Sequence, residues 1–200
     1  MQLSTKQTFI LKLSVVGLLM VAAILSRFWL VDWPNFKPVM AVALYAGFLL
    51  GKRWWTWMVP LLILALSDLF IGFYDGLLMA SVYLSMMLAV GAGQALARWT
   101  GRREWRPLGT MVGMGIASLL VSVVFFLTTN AAVVLAGWYP LSLAGLLQSY
   151  LAALPFLRFT LAGNCLFSLL LFTSHFAVQA IVARRRSLAR VRAAGTSATA

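Results

Sequence analysis

PLLILALSDLFIGFYDGLLMASVY, residues 60–83, is the stretch on which the reading of this chain turns. It is an apolar run with Asp68 inside it and Asp75 at its exit, in a chain whose only other acids are Asp32 and Glu104. A carboxylate near the centre of a bilayer costs roughly 2.5–3.5 kcal/mol on insertion scales. Asp68 therefore either has a partner and a task, or sits near a helix end where interfacial water reaches it.

The composition around that stretch is a membrane composition. Of 200 residues, 62% are hydrophobic and 10% are charged, against about 25% charged in soluble domains. The apolar residues come in long runs rather than amphipathic stripes. The length accommodates six spans with short connections and leaves no room for a separate soluble domain. The net charge of +12 does not point to nucleic acid, because the basic residues sit in short clusters between apolar runs and no nucleic-acid-binding motif accompanies them. Cys165 is the single cysteine, so no internal disulfide and no cysteine-based zinc site forms. Lys6 and Lys12 before an apolar stretch imitate a signal peptide. That stretch is too long for a signal core and reads as a retained first span.

The spans fall at about 9–30, 39–51, 54–73, 77–97, 108–136 and 156–182. The second is short. Pro60 lies early in the third, where it is a candidate kink. Gly109, Gly113 and Gly115 near the start of the fifth allow close helix approach. Between the first two spans RFWLVDWPNFKP is rich in aromatics and proline, and Pro34 and Pro38 forbid a regular helix across it. Tyr74, Asp75 and Gly76 read as a tight turn. RWTGRREWRP, residues 98–107, is a polar loop containing Glu104, and residues 137–155 hold a moderately apolar piece suited to an interfacial helix. The reading is thus an all-α polytopic membrane protein: one six-helix transmembrane domain over 1–186, then a basic and finally polar tail over 187–200, expected to be disordered.

Charge sets the orientation. With the N-terminus inside, thirteen of the sixteen basic residues lie on inner segments, and only Arg27, Lys37 and Arg158 lie on outer ones. Both termini are then cytoplasmic by the positive-inside rule. In that frame Ser26, Arg27, Ser67, Asp68, Ser81, Tyr83, Ser85, Thr128, Thr129, Asn130 and Asn164 all fall in the outer halves of their spans. Singly, each reads best as an interhelical hydrogen bond, worth about 0.6 kcal/mol in membranes. Together, with WPNFKP, GWYP and LPFLR closing over them, they read as a pocket open to the outer face. Trp138, Tyr139 and the other loop aromatics either cap a large flat ligand or are ordinary interfacial residues. Arg158 pairs with Asp68, with Asp75 or with an anionic ligand, and sequence does not choose. His175, in the inner half of span 6, has no second histidine or nearby acid to make a metal site and reads as a helix-packing or water-facing residue. No HExxH, GxSxG or GK[ST] motif is present, so the chain reads as a non-enzyme with no resident metal.

A series of short motifs runs through the chain: NFKP at 35–38, ALYAG at 43–47, PL at 60–61, SDLFIG at 67–72, VY at 82–83, TN at 129–130, WYP at 138–140, LPF at 154–156 and LAGN at 161–164. Their order resembles the six-helix proteins of the DUF6580 family. Those are similar to the substrate-binding S components of energy-coupling-factor vitamin importers, including the solitary cobalamin-transporting BtuM type. The resemblance covers about residues 26–173. It implies an S-component-like bundle in the bacterial inner membrane, taking up cobalamin or a related corrinoid as transported ligand and needing no cofactor. The lipid bilayer and a small-molecule vitamin are its implied partners, and nucleic acid is not. The ligand-facing set is then Arg27, Asn35, Phe36, Asp68, Tyr74, Ala80, Tyr83, Thr129, Asn130, Trp138, Tyr139, Phe156, Arg158 and Asn164. Two departures stand out. Cobalamin-binding members of the BtuM type place a cysteine near the start of span 4 as a cobalt ligand, where this chain has LLMASVY and Ala80. Either it binds another way, binds something else, or carries an engineered replacement. Span 1 also lacks the AxxxA spacing of S components that dock on a shared energising module, which favours a solitary protein. The alternatives are an S component for another small molecule and a structural or assembly protein without transport.

Overall fold

The computed structural model describes residues 4–30, 32–33, 35–101 and 107–197, with side chains apart from 186 and 189–197. Pro34 and the 102–106 part of the polar loop, with Glu104, lie outside the described residues. Among the described residues there are six α-helices: α1 (Thr5–Trp29), α2 (Val39–Leu50), α3 (Met58–Ile71), α4 (Gly76–Gly101), α5 (Pro107–Leu135) and α6 (Leu143–Ser197). A short 3-10 turn, Trp54–Trp57, leads into α3. Five of these segments, with the 3-10 turn counted into α3, are long and apolar enough to cross a membrane; α2 is shorter. Leucines, phenylalanines and valines cover the outside of α1, α5 and α6. This is the architecture of a multi-pass membrane protein.

Local chemistry sets several boundaries. Ser4 caps α1 through a reciprocal pair with Gln7, a capping box. Asp75 accepts from the Leu78 amide at 2.9 Å, which makes it the N-cap of α4. Ser142 does the same for α6, accepting from Gly145 N at 3.1 Å. Pro60 does not kink a span. It is the third residue of α3, within the first turn, where its missing N–H would have no intrahelical partner.

The 12-residue α2 is the centre of the bundle, with ten of its residues buried. It is apolar all round, the mark of a helix enclosed on every side. It packs against α4 most closely at two glycines. A Cβ on Gly47 would collide with the Val90 carbonyl, and one on Gly93 with the Leu44 carbonyl. Close approach was expected from the glycines of α5, but Gly115 has open space around it, and Gly113 faces the Leu96 and Trp99 side chains rather than a backbone.

At about 1.5 Å per residue α2 spans only about 18 Å, short of the roughly 30 Å hydrocarbon core. The connection before it makes up the difference. Met40 Sδ lies 3.9 Å from Ser122 Oγ, near the midpoint of α5, and Phe36 and Lys37 N lie against Gly163 of α6. The chain therefore descends in irregular conformation to mid-bundle before α2 begins. Such backbone is tolerated at membrane depth where protein or a wet cavity surrounds it. Asn35, at φ 61°, turns it; asparagine is among the few residues that take this left-handed conformation readily.

The piece over 137–155 is not a separate interfacial helix. From Leu143 it forms the opening turns of α6, which continues through Pro155. Tyr150 Oη donates to the Leu127 carbonyl at 2.8 Å and Ser149 Oγ to that of Asn130 at 3.3 Å, binding these turns to α5. Position 186 is likewise no element boundary, since α6 runs on to Ser197 through SLARVRAA, rich in strong helix formers.

Candidate functional site

At the end of the bundle where α1 finishes, Arg27 reaches across to α3. Its Nη1 lies 2.7 Å from Asp68 Oδ1 and donates to Ser67 Oγ and, at 3.4 Å, to the Leu64 carbonyl. Asp68 Oδ2 accepts from Tyr83 Oη at 2.8 Å. The Asp68 side chain is 0% exposed and that of Arg27 13%. Arg27–Asp68 is the one ion pair among the described residues. It answers the question left open for Asp68: the partner is Arg27 on α1. Arg158 instead lies exposed over the Phe159 ring, 4.9 Å from its centroid, and makes no ion pair among the described residues.

Beside this cluster are two adjoining chambers. The first, of about 160 Å³, is walled by Arg27, Asn35, Lys37, Tyr74, Thr160 and Asn164 with apolar residues of α2, α3, α4 and α5. The second, of about 220 Å³, is walled by Thr129, Asn130, Phe156 and mainly apolar side chains of α4, α5 and α6. Asn35, Tyr74, Val82, Phe125 and Thr160 belong to both. Asn35 and Tyr74 are themselves solvent-exposed, so the pair opens at this end.

The floor of the first chamber is tightly bonded. Asn164 Nδ2 donates to the Ser118 carbonyl at 2.8 Å and to Ser122 Oγ at 3.0 Å, holding α6 against the middle of α5. The wall is electropositive. Lys37, half-buried in the α1–α2 connection, has its pKa lowered, first by burial and then by the Arg27 charge. Tyr74 has its pKa raised by burial and by the Asp68 charge, with Arg27 opposing. It therefore stays a neutral donor.

Of the residues expected to face a ligand, Arg27, Asn35, Tyr74, Thr129, Asn130, Phe156 and Asn164 line the chambers. Asp68 and Tyr83 stand behind Arg27 as its support. Phe36 packs against Phe167 and Trp33. Trp138 is 63% exposed, and Tyr139 lines neither chamber. Ala80, expected to face the ligand space, is exposed and lines neither. The reason is helical phase: α4 turns Leu78, Val82 and Met86 inward, residues four apart on one face, and Ala80 points the other way. Several other polar groups are satisfied within their own helices. Ser26, Ser81, Thr129 and the Asn130 amide donate to carbonyls three or four residues back.

Sequence reasoning missed Lys37, Thr160 and the apolar wall from Met40, Val82, Met86 and Phe125. For Lys37 the signal was available: it is one of only three basic residues on its side and lies two residues from Asn35. Of the two roles open to it from sequence, His175 takes packing. Its Nδ1 is 3.0 Å from Tyr45 Oη, its Nε2 is 2.9 Å from the Gln179 amide, and Phe48 and Phe176 surround it.

Across residues 7–187 the chain matches DUF6580, described as a family of unknown function. It belongs to that family. No curated protein matches it, and no solved structure matches it.

Proposed function

We propose that this protein is a substrate-binding component of small-molecule uptake, not an enzyme, lying in the bacterial inner membrane with both termini cytoplasmic and the chambers open to the outer face. The observation that carries this is the pair of chambers at the Arg27–Tyr74 end, built from all six helices and the re-entrant connection and holding polar groups that the bundle itself does not use. The orientation rests on the positive-inside count, with thirteen basic residues on one side. It agrees with the contact of Arg53 over the Phe9 ring at 4.3 Å, which brings the start of α1 and the 51–53 turn to one end, opposite the chambers.

The size of the site bears on the ligand. Pockets for drug-sized ligands run about 300–1,000 Å³, and chambers of about 160 and 220 Å³ together reach only the lower end. A corrinoid is several times larger than such a ligand and does not fit chambers of this size. A more compact molecule does, so the reading favoured is an S-component-like binder of a compact ligand.

The test is native mass spectrometry of the protein released from nanodiscs after expression in rich medium, with the visible spectrum recorded on the same sample. A stoichiometric, non-covalent small molecule is the expected result. A corrin spectrum would restore cobalamin, and ligand-free protein with no uptake in reconstituted vesicles would leave a structural role.

A further inference from the structure

The first chamber carries more positive charge than its surroundings neutralise. Two cations line it, Arg27 and Lys37, and they lie close enough for the Arg27 charge to depress the Lys37 pKa. Of the described acids, Asp32 and Asp75 line neither chamber, and Asp68 lies behind Arg27 with Oδ1 2.7 Å from Nη1 and Oδ2 accepting from Tyr83. Arg27 spends only Nη1 on the protein; its Nη2 and Nε have no partner among the described residues. Lys37 makes no hydrogen bond or ion pair among them, and the Tyr74 hydroxyl and the Asn35 amide donate to nothing there. One net positive charge and a set of free donors therefore face a half-buried space. An unpaired charge in such a place is costly unless a counter-charge joins it. The adjoining second chamber is of another character. Leu78, Phe126, Val133 and Phe156 dominate it, and it offers no charged side chain.

We propose that the ligand is a small monoanion, a carboxylate carried on a compact apolar body. The carboxylate lies between Lys37 and the free edge of Arg27, and the apolar body fills the second chamber. This rests on reading the chambers as the ligand site and names the class of molecule that site takes. A guanidinium edge matches the two oxygens of a carboxylate. A monoanion leaves the chamber neutral, whereas a neutral ligand leaves Lys37 unpaired.

The test compares two probes of nearly identical size, 4-phenylbutyrate and its neutral amide, on protein in lipid nanodiscs. Acetylation of Lys37 by a membrane-impermeant amine reagent is followed by peptide mass spectrometry. The acid is expected to protect Lys37 at about tenfold lower concentration than the amide, the effect of one charge-assisted contact. Lys37→Met should abolish the thermal stabilisation given by the acid and Lys37→Arg should retain it, so a folding defect is separable from a charge effect. Equal protection by both probes overturns the charge inference and leaves the ligand site standing. So does a preference for the acid that survives Lys37→Met. Protection by neither, while a native small molecule is still released from the protein, overturns the inference alone. Protection by neither with no native ligand takes the site reading down with it.

Discussion

The two halves of this bundle use the same kinds of helix to opposite ends. In the half that holds the 44–48 and 89–93 segments, α2 and α4 touch backbone to backbone through Gly47 and Gly93, and Tyr45, Phe48, Phe172 and His175 fill the remaining space. In the other half α2 has given way to irregular chain. There an ion pair, a lysine and three asparagines surround open chambers. The difference teaches where a ligand goes. A central helix that stops at mid-depth leaves half of the bundle core to be filled by something else, while its glycine crossing seals the half below.

The comparison breaks most readily at the ion pair. Asp68→Ala leaves the Arg27 charge buried without its partner and is expected to cost about 3–5 kcal/mol. Arg27→Met combined with Asp68→Leu should be milder than that single change, as measured by thermal unfolding in lipid. If the single change were as mild, the charged half would not depend on pairing. In the sealed half the corresponding stress is steric. Gly93→Ala drives a methyl group into the Leu44 carbonyl and should cost about 1–3 kcal/mol as an overpacked contact, while Gly115→Ala, facing open space, should be neutral. Equal tolerance of the two would deny the close crossing.

Smaller effects sharpen the same contrast. Tyr83→Phe removes one hydrogen bond to Asp68 and should cost about 0.6–1.7 kcal/mol, the range for such bonds inside membranes, without changing which probe the chamber prefers. Lys37 supplies a pH signature. Its folded pKa lies below 10.5, so between the two values the unfolded chain binds more protons and stability rises with pH. The groups facing it are Arg27, Tyr74 and, behind Arg27, Asp68. In ligand-free protein the melting temperature should therefore climb through the alkaline range below 10.5, and Lys37→Met should flatten the climb. A flat wild-type profile would place Lys37 in open water.

Much of the fold was legible because hydrophobic length and charge punctuation are local signals. The ends of α1, α4 and α5 fall within a few residues of the expected spans. Arg27 and Asn164 were drawn together by depth, while Asn35 and Tyr74 joined them only through the resemblance. What sequence did not show depends on contacts between distant segments. The centrality of α2 was not read: only its shortness was legible, because nothing local reveals a connection dropping into the core. Ala80 was placed toward the ligand by the resemblance, from the position of a cysteine and without helical phase, and the inward run of Leu78, Val82 and Met86 fixes that phase only once α4 has neighbours. Pro155 looked like a break because a proline inside a helix usually is one; contacts from Ser149 and Tyr150 to α5 hold the helix on both sides of it.

The central claim is that one half of the bundle is open to water and the other sealed. It is tested most directly by single cysteines in a Cys165→Ser background, treated with a membrane-impermeant maleimide applied only to the outer side of oriented vesicles. Thr160→Cys, in the wall shared by both chambers, is predicted to label, to lose labelling when 4-phenylbutyrate is present, and to be unlabelled from the inner side. Ala89→Cys, buried on α4, is predicted to stay unlabelled from both sides. Equal labelling of the two positions, or labelling of Thr160→Cys only from the side bearing the termini, would contradict the account.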